Sequence, residues 1–454
     1  MRPADTTSRL EPRFARVSDL CRALLLGACT LGAFTAGGCS DDPPAKKPGA
    51  DAKLSDATNV DAGPTDAKLT DSAANDTAAS DAALNDTTTG DAATSDTATN
   101  DTATSDAQPA EDTADKPPQT WSVMVYMAAD NNLEKSGILD IEEMLTVSAA
   151  KHLRFFVQTD RAEGFYQLGL GSIGAWTGAK RLVIADGTLK ELTDLGEVNM
   201  GTAASLEGFI AWAAKQGKAD KNVLVLWNHG MAWQGFGGDD FDNDQMTLDE
   251  IETGLKNGMA KGGLAKFDLA GFDACLMGDL AVARMMKPFA PYLIASEDLE
   301  PAHGWNYAAF EAIAKNSWIS EPALATAIID GYEAQAKEQK RQHSITLAVY
   351  DNTKLAAVDT AFVALAVQLA KDLDDGTGKP KLDSPVLSAL AKARAKVMRF
   401  GRSSTPAHDF QMVDIRDLAF RLDKLSDGYE SHYKAVNSAI SQLVLTRVSG
   451  PLTQ

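Results

Sequence analysis

The sequence predicts an α/β fold in which a mostly parallel central sheet is flanked by helices, with a helical C-terminal part. The first observation is that short apolar runs, typical of buried strands, alternate along the chain with amphipathic helical segments. The second is that two of these runs are each followed by a side chain capable of chemistry, as at the carboxyl edge of an open α/β sheet. Such alternation favours a parallel sheet with helices on both faces.

Six segments have the character of buried strands: Trp121–Ala128, Leu153–Thr159, Asn222–Trp227, Phe267–Asp273, Tyr292–Ser296 and Ser344–Tyr350. Helices are predicted between the first strands at Leu133–Val147 and Ser205–Lys215. The C-terminal part is predicted to be helical over Asn352–Asp374, Pro385–Met398, Met412–Lys424 and Tyr429–Val444. These last helices would pack on the sheet as a small lobe or as its outer layer.

Residues 1–39 have the order of a secretory signal peptide. Scattered arginines precede the apolar run Ala23–Ala36, which is shorter than the roughly 20 residues of a membrane helix. Ala36-Gly37-Gly38-Cys39 resembles the bacterial lipoprotein signal, although leucine is more usual at Ala36. We therefore expect export, lipidation at Cys39 and anchoring in the cell envelope or at the cell surface, with later release or an ordinary cleaved signal as alternatives.

Residues 40–118 are predicted to be a disordered tether rich in Asp, Ala and Thr. An aspartate recurs at every fifth position from Asp51 to Asp106, and no aromatic residue interrupts the pattern. The segment holds 17 acidic residues against 5 lysines, so it carries most of the net charge of −20. This acidity argues against nucleic acid as a partner. The folded domain is predicted to span residues 119–454.

Cys275 is the one cysteine of the predicted folded domain. Cys21 and Cys29 would leave with the signal peptide, and Cys39 lies at the predicted cut. A secreted domain stabilised by disulfides needs paired cysteines, whereas an odd cysteine is a candidate reactive thiol.

His229 is the candidate partner of Cys275, because each residue follows its own predicted strand. A thiol has a pKa near about 8.5, which a neighbouring imidazolium lowers, and the histidine could then protonate the leaving amine. The backbone N–H groups of Gly230 and Cys275 are the candidate oxyanion donors. The alternatives are a cysteine that only packs in the core and a structural histidine.

Asp273 precedes Cys275 by two residues, so both side chains should lie on one face of the strand. It could hydrogen-bond a neighbouring loop, or it could line a substrate pocket and select a basic side chain. A separate GxGxxG motif at residues 169–174 is followed by a poor helix start and by the short strand Arg181–Ile184. We predict a β-hairpin region there and no dinucleotide.

Four motifs in order, WSVMVYMAADNNLE, LVLWNHG, GFDACLMG and SEDLEPAHGWNY, resemble the clostripain-type cysteine peptidases, relatives of caspases, legumain and gingipains. The resemblance covers residues 119–422 and implies a caspase-like fold. It matches His229 and Cys275 with the catalytic dyad, and Asp273 with the acid that gives cleavage after Arg or Lys. It also implies that Glu297 and Asp298 lie beside the substrate pocket.

The chain departs from these relatives in two respects. Self-cleavage between the dyad residues often activates them, yet the first lysines after His229 are Lys256, Lys261 and Lys266. Some relatives depend on calcium, and Glu250 falls at the twelfth position of an EF-hand-like loop counted from Asp239. Phe241 and Asp244 then occupy positions that need a ligand and a glycine. We therefore predict a solvated acidic loop and no metal or cofactor, with calcium as the alternative.

Together these features predict a cysteine endopeptidase of the cell envelope that cleaves polypeptides after Arg or Lys. Its predicted contact with the membrane is the lipid anchor. The alternative is a catalytically inactive caspase-like binding module tethered to the envelope.

Overall fold

The computed structural model describes residues 116–166, 168–216, 218–402 and 410–451. The predicted signal peptide, the lipidation site Cys39 and the predicted tether up to Asp115 lie outside the described residues.

The described part of the chain contains one large mixed sheet and two short hairpins. In chain order the strands are β1 (Trp121–Ala129), β2 (Leu153–Arg161), β3 (Ala179–Ala185), β4 (Thr188–Gly196), β5 (Lys221–Trp227), β6 (Phe236–Asp239), β7 (Asp244–Met246), β8 (Leu269–Asp273), β9 (Tyr292–Ala295), β10 (Thr346–Asp351), β11 (Arg399–Phe400), β12 (Met412–Val413) and β13 (Val444–Ser449). The sheet order is β13-β10-β9-β8-β5-β1-β2-β3-β4. The five central strands are parallel, and β10, β13, β3 and β4 pair antiparallel at the two sides.

Strand β1 shows why the central strands are continuous runs of apolar residues. Met124, Tyr126 and Ala128 belong to the hydrophobic cluster on one face, whereas Val123 and Val125 belong to the cluster on the other. Both faces of the sheet are covered by other parts of the domain. The side chains that point to either face are therefore apolar. The predicted α/β architecture is confirmed.

The helices of the described residues surround this sheet. They are α1 (Glu134–Val147), α2 (Ala203–Gln216), α3 (Leu248–Gly262), α4 (Leu280–Met286), α5 (Glu311–Lys315), α6 (Glu321–Glu338), α7 (Leu355–Leu373), α8 (Pro385–Lys396), α9 (Ile415–Leu425) and α10 (Glu430–Leu443). The segment Asn352–Leu373 is long and apolar enough to cross a membrane by length and composition alone. In this structure Leu355, Val358 and Leu365 of α7 pack into the core of the domain.

The C-terminal part is helical as predicted, with two differences. Met412 and Val413 pair with β11 instead of opening the predicted helix, so α9 begins at Ile415. The last helix ends at Leu443, and β13 runs antiparallel to β10. The GxGxxG segment forms a tight turn closed by Leu170 and Ile173, and the β3–β4 hairpin follows, as predicted.

Candidate active site

The candidate site is built where two neighbouring parallel strands end. The β5–β8 register pairs Trp227 with Asp273, and the N–H of Asn228 donates to the carbonyl of Asp273 at 3.3 Å. His229 and Cys275 each come two residues after this pair, so both leave the sheet at the same edge.

Gly230 lies directly against the cysteine. A Cβ built at Gly230 would come 1.9 Å from the carbonyl oxygen of Cys275, a separation that no side chain tolerates. Glycine is therefore required here for the close approach of the two backbones. The structure thus brings together the two segments that the sequence predicts to act as a pair.

The backbone turns sharply immediately after Cys275. Leu276 has φ 68° and Ala232 has φ 54°, a left-handed conformation uncommon for residues other than glycine. Both side chains pack with Cys275 in one small buried cluster. Strained residues of this kind persist where the surroundings fix them and are frequent at functional sites.

Cys275 is buried, and its sulfur accepts a hydrogen bond from the N–H of Glu300 at 3.2 Å. The sulfur also lies 3.8 Å from the carbonyl oxygen of Glu300. The deprotonated sulfur is the nucleophile of a cysteine, so chemistry at this position requires the reduced residue.

His229 is buried and held by Asn132. Its Nε2 lies 2.9 Å from the Oδ1 of Asn132. An amide oxygen only accepts, so Nε2 carries the proton and Nδ1 is the basic nitrogen. Burial lowers the pKa of His229 to about 4. The imidazole on its own is therefore neutral near pH 7, and the pairing of an imidazolium with the Cys275 thiolate stays a prediction.

Asn132 belongs to a turn that is hydrogen-bonded to the segment around His229. The side-chain amide of Asn131 donates to the Oδ1 of Asn228 at 3.0 Å and to the carbonyl of Gly238 at 2.8 Å. The Oδ1 of Asn228 also accepts from the N–H of His229. No role for Asn132 was predicted from the sequence, although its position three residues after β1, the neighbour of β5, was a usable indication.

The backbone after His229 leaves the amide of Gly230 outside the local strand ladder. Gly230 bridges Phe236, but the N–H donors of that bridge belong to Met231 and Gly237. The N–H of Gly230 therefore takes no part in this bridge. The oxyanion role of Gly230 and Cys275 stays a prediction.

Asp273 is buried and hydrogen-bonded to a loop. It accepts from the N–H of Trp305 and from the hydroxyl of Tyr307, both at 3.0 Å. Gly304, at φ 58°, lies so close that a Cβ there would be 2.7 Å from the Oδ1 of Asp273. Burial raises the pKa of Asp273 to about 7, although the two hydrogen bonds oppose the shift. Contact with a neighbouring loop, one of the two predicted roles, is therefore observed, and the carboxylate still has acceptor capacity.

Two further acids from α1 lie close to Asp273. Asp140 accepts from the indole N–H of Trp227 at 2.6 Å, and Glu143 accepts from the N–H of Tyr307 at 2.8 Å. Burial raises the pKa of both carboxyl groups, and for Asp140 the charges of Asp273 and Glu143 add to the effect.

Glu300 completes this acidic group and was missed by the sequence analysis. It is buried, and neither carboxylate oxygen has a hydrogen-bond partner within the described residues. Burial and then the charge of Asp273 raise its pKa well above the usual value. None of Asp140, Glu143, Asp273 and Glu300 forms an ion pair with a lysine or arginine in the part of the chain that the structure describes. We refer to these four residues as the acidic pocket.

Glu297 and Asp298 are not part of the acidic pocket. Glu297 lines a separate cavity of about 710 Å³ whose walls include Asp414, Arg416 and Arg447. Asp298 accepts hydrogen bonds from two backbone segments. Its carbonyl accepts from the N–H of Leu276 at 3.1 Å, and its Oδ1 accepts from the N–H of Gly401 at 3.0 Å. Substrate contact by these two residues stays a prediction without geometric support.

Comparison with known proteins agrees with this architecture. Clostripain of Hathewaya histolytica is 29% identical over 225 residues, which cover 42% of this chain and 41% of that protein. The alignment thus spans less than half the length of this curated relative. An inactive zymogen C11 protease from Parabacteroides distasonis has a TM-score of 0.53 at 18% identity, covering 74% of this chain and 85% of its own.

A secreted C11 cysteine protease from Bacteroides thetaiotaomicron has a TM-score of 0.55 at 18% identity, covering 73% of this chain and 87% of its own. At this level of identity the two structures establish the fold, and the predicted caspase-like architecture is confirmed. Residues 125–451 match the Clostripain family, and this range is well over half of the sequence. The chain therefore belongs to the clostripain family.

Proposed function

We propose that this protein is a cysteine endopeptidase that cleaves polypeptides after Arg or Lys, with Cys275 as nucleophile and His229 as general base. The observation that carries the proposal is the β5–β8 register, in which His229 and Cys275 each follow a paired strand end by two residues and Gly230 lies against the cysteine carbonyl. Membership of the clostripain family supports the same reaction class.

The proposed reaction starts from the reduced cysteine and a neutral histidine. The sulfur of Cys275 attacks the scissile carbonyl carbon while Nδ1 of His229 takes the thiol proton. The carbonyl oxygen becomes an oxyanion, which the N–H groups of Gly230 and Cys275 stabilise. As the C–N bond breaks, the imidazolium protonates the leaving amine. Water, deprotonated by His229, then hydrolyses the thioester and regenerates the thiol.

The acidic pocket is the basis for the proposed preference. The carboxyl groups of Asp140, Asp273 and Glu300 are buried and that of Glu143 is half-buried, and within the described residues no lysine or arginine pairs with them. Buried charge is costly unless it is paired, so a guanidinium or ammonium group from a substrate would be favoured there. Asp273 ends β8 two residues before Cys275, and the backbone N–H of Glu300 donates to the cysteine sulfur.

A peptide library cleaved by the reduced protein tests this preference. We expect cleavage after Arg and Lys, and a large loss of both in Asp273→Asn. Asp249→Asn is the control, because it neutralises an exposed acid in the first turn of α3 and should leave the profile unchanged. Unaltered cleavage after Arg by Asp273→Asn would show that another feature sets the preference.

The competing function is a caspase-like module that binds peptides without cleaving them. Peptide binding by wild type with no turnover after reduction, and equal behaviour of Cys275→Ala, would favour that module over the enzyme.

Export and anchoring through a lipid on Cys39 form part of the proposal. The order of residues in 1–39 supports it, and one structural relative is described as secreted. A mass spectrum of the mature amino terminus should show a diacylated or triacylated Cys39. An unmodified terminus would remove the membrane anchor from the proposal.

A further inference from the structure

Trp233 is a large aromatic side chain that is exposed beside the candidate active site. It lies four residues after His229, in the short 3₁₀ helix Ala232–Gln234, and it is 41% exposed. Within the described residues its indole N–H has no hydrogen-bond partner, and no other ring or cation contacts its face. The side chain therefore presents both an apolar surface and a hydrogen-bond donor to a ligand.

The backbone that carries Trp233 is fixed by the fold. The N–H of Met231 donates to the carbonyl of Gly235 at 3.0 Å, and the N–H of Gln234 donates to the carbonyl of Met231 at 3.1 Å. Gly235 has φ 141°, and a Cβ there would come 2.1 Å from the carbonyl oxygen of Met246, so the turn requires glycine. An indole held on so constrained a turn loses little conformational freedom when it binds a ligand.

The turn that carries Trp233 lies against the cysteine, away from the acidic pocket. Ala232, the residue before Trp233, packs with Cys275 in one buried cluster. Phe236, directly after the turn, belongs to the hydrophobic cluster on one face of the sheet. The acidic pocket takes two of its acids from α1, whose buried apolar side chains belong to the cluster on the other face. The turn is therefore separate from the pocket proposed for an Arg or Lys side chain.

The proposed reaction decides which part of a substrate this turn meets. His229 follows β5 and protonates the leaving amine, so the polypeptide after the cut lies on the β5 side of Cys275. The other neighbour of β8 is β9, and Glu300, which follows β9, donates its N–H to the sulfur from that side. Trp233 belongs to the segment after β5. It therefore lies on the side of the leaving group.

We infer that Trp233 is a specificity-determining residue that binds a large apolar side chain on the first residue after the cut. This inference rests on the proposed function and refines it. Residues 230–238 contain no charged side chain, so the turn offers nothing that would select an acidic or a basic residue. An apolar side chain laid on the exposed indole removes apolar surface of both partners from water.

A series of peptides that differ only in the residue after the cut tests the inference. All contain Arg before the cut, followed by Leu, Phe, Gly, Asp or Lys, and each is cleaved by the full reduced chain. We expect kcat/KM for the Leu and Phe peptides to exceed that for the Gly peptide by about tenfold, because the apolar side chain becomes partly buried. All peptides of the series give the same acyl-enzyme, so the difference belongs to steps up to release of the amine.

The ratio of the Leu to the Gly peptide is compared between variants, since it does not depend on the fraction of active protein. Trp233→Ala should lower the ratio to about one, and Trp233→Phe, which keeps a large apolar face, should retain most of it. The matched control is Trp318→Ala. Trp318 is 37% exposed and follows Ser317, whose carbonyl accepts from the indole of Trp121 at the beginning of β1, at the opposite edge of the sheet. The control should keep the wild-type ratio.

Two kinds of failure are distinguished by this design. A wild-type ratio near one, an unchanged ratio in Trp233→Ala, or a preference for Lys or Asp after the cut would overturn the inference and leave the proposed peptidase intact. If wild type cleaves none of the five peptides, the proposed function fails and the inference fails with it. The unfolding temperature of Trp233→Ala should stay near that of wild type, because the indole is exposed and has no hydrogen-bond partner within the described residues.

Discussion

His229 shows how burial sets the chemistry of a single side chain. Its pKa is lowered to about 4 by burial, so it is neutral near pH 7 and suited to accept a proton from a thiol. Asn132 fixes which nitrogen is basic. The sequence indicated the histidine but not its protonation state, because that state depends on residues packed around it from other segments.

Asn132 should act as a positioning residue. Asn132→Ala removes the acceptor for Nε2, and we expect kcat/KM to fall by about 10²-fold through misorientation of the imidazole. Asn132→Asp keeps an acceptor and adds a charge, which raises the pKa of His229, so the acidic limb of the kcat/KM profile should move upward from about pH 4. If both variants keep the wild-type profile, Asn132 does not orient the histidine.

Asp273 should make substrate binding depend on pH. Its pKa is raised to about 7, so it is neutral below that pH and charged above it. The KM for arginine substrates should therefore rise as pH falls through about 7. For Asp273→Asn this part of the dependence should vanish, and steady-state kinetics from pH 5 to 9 would detect it. An identical KM profile in the two proteins would contradict the role of its charge.

At the scale of elements, the strands were predictable and their pairing was less so. All six predicted strands are present, because short buried runs of apolar residues are typical of strands. β13 and the antiparallel direction of β10 were not predicted, since both depend on long-range pairing. Asp273 and Cys275 could be found from their spacing along the chain, whereas Glu300 and Asn132 join the site only through the fold.

An ion pair joins the first residue of α1 to the last residue of β2. Arg161 and Glu134 are both buried, and the Nε of Arg161 lies 2.5 Å from the Oε1 of Glu134. Glu134→Ala leaves a buried guanidinium without its partner and should cost about 3–5 kcal/mol of unfolding free energy in denaturant titrations. The matched change Glu430→Ala breaks an exposed pair with Lys434 and should cost at most about 0.5 kcal/mol. Equal losses would mean that the buried pair adds nothing beyond a surface one.

At the scale of the whole molecule, buried acids are spread over several regions. The pKa values of Asp273 and Glu297 are raised to about 7 and that of Asp279 to about 6, in each case mainly by burial. The composition shows that the chain is acidic, but it does not distinguish these three carboxyl groups from acids that are exposed to solvent.

These acids should make the fold less stable as pH rises. In the unfolded chain they ionise near pH 4, so between about pH 4 and 7 the folded state holds more protons. Their contribution to stability is complete below about pH 4 and is lost as pH rises through about 6 to 7. The metal-free unfolding temperature should therefore be higher at pH 5 than at pH 8, and Asp279→Asn, which keeps the helix cap, should reduce the difference. A higher unfolding temperature at pH 8 would contradict this account.

The most direct test of the central claim is covalent labelling of the reduced protein by an arginyl chloromethylketone, mapped by mass spectrometry. The account predicts one label per chain, on Cys275, with slower labelling in His229→Ala and Asp273→Asn. Labelling at any other residue, or no label on Cys275 under conditions that reduce it, would contradict the assignment of Cys275 as nucleophile.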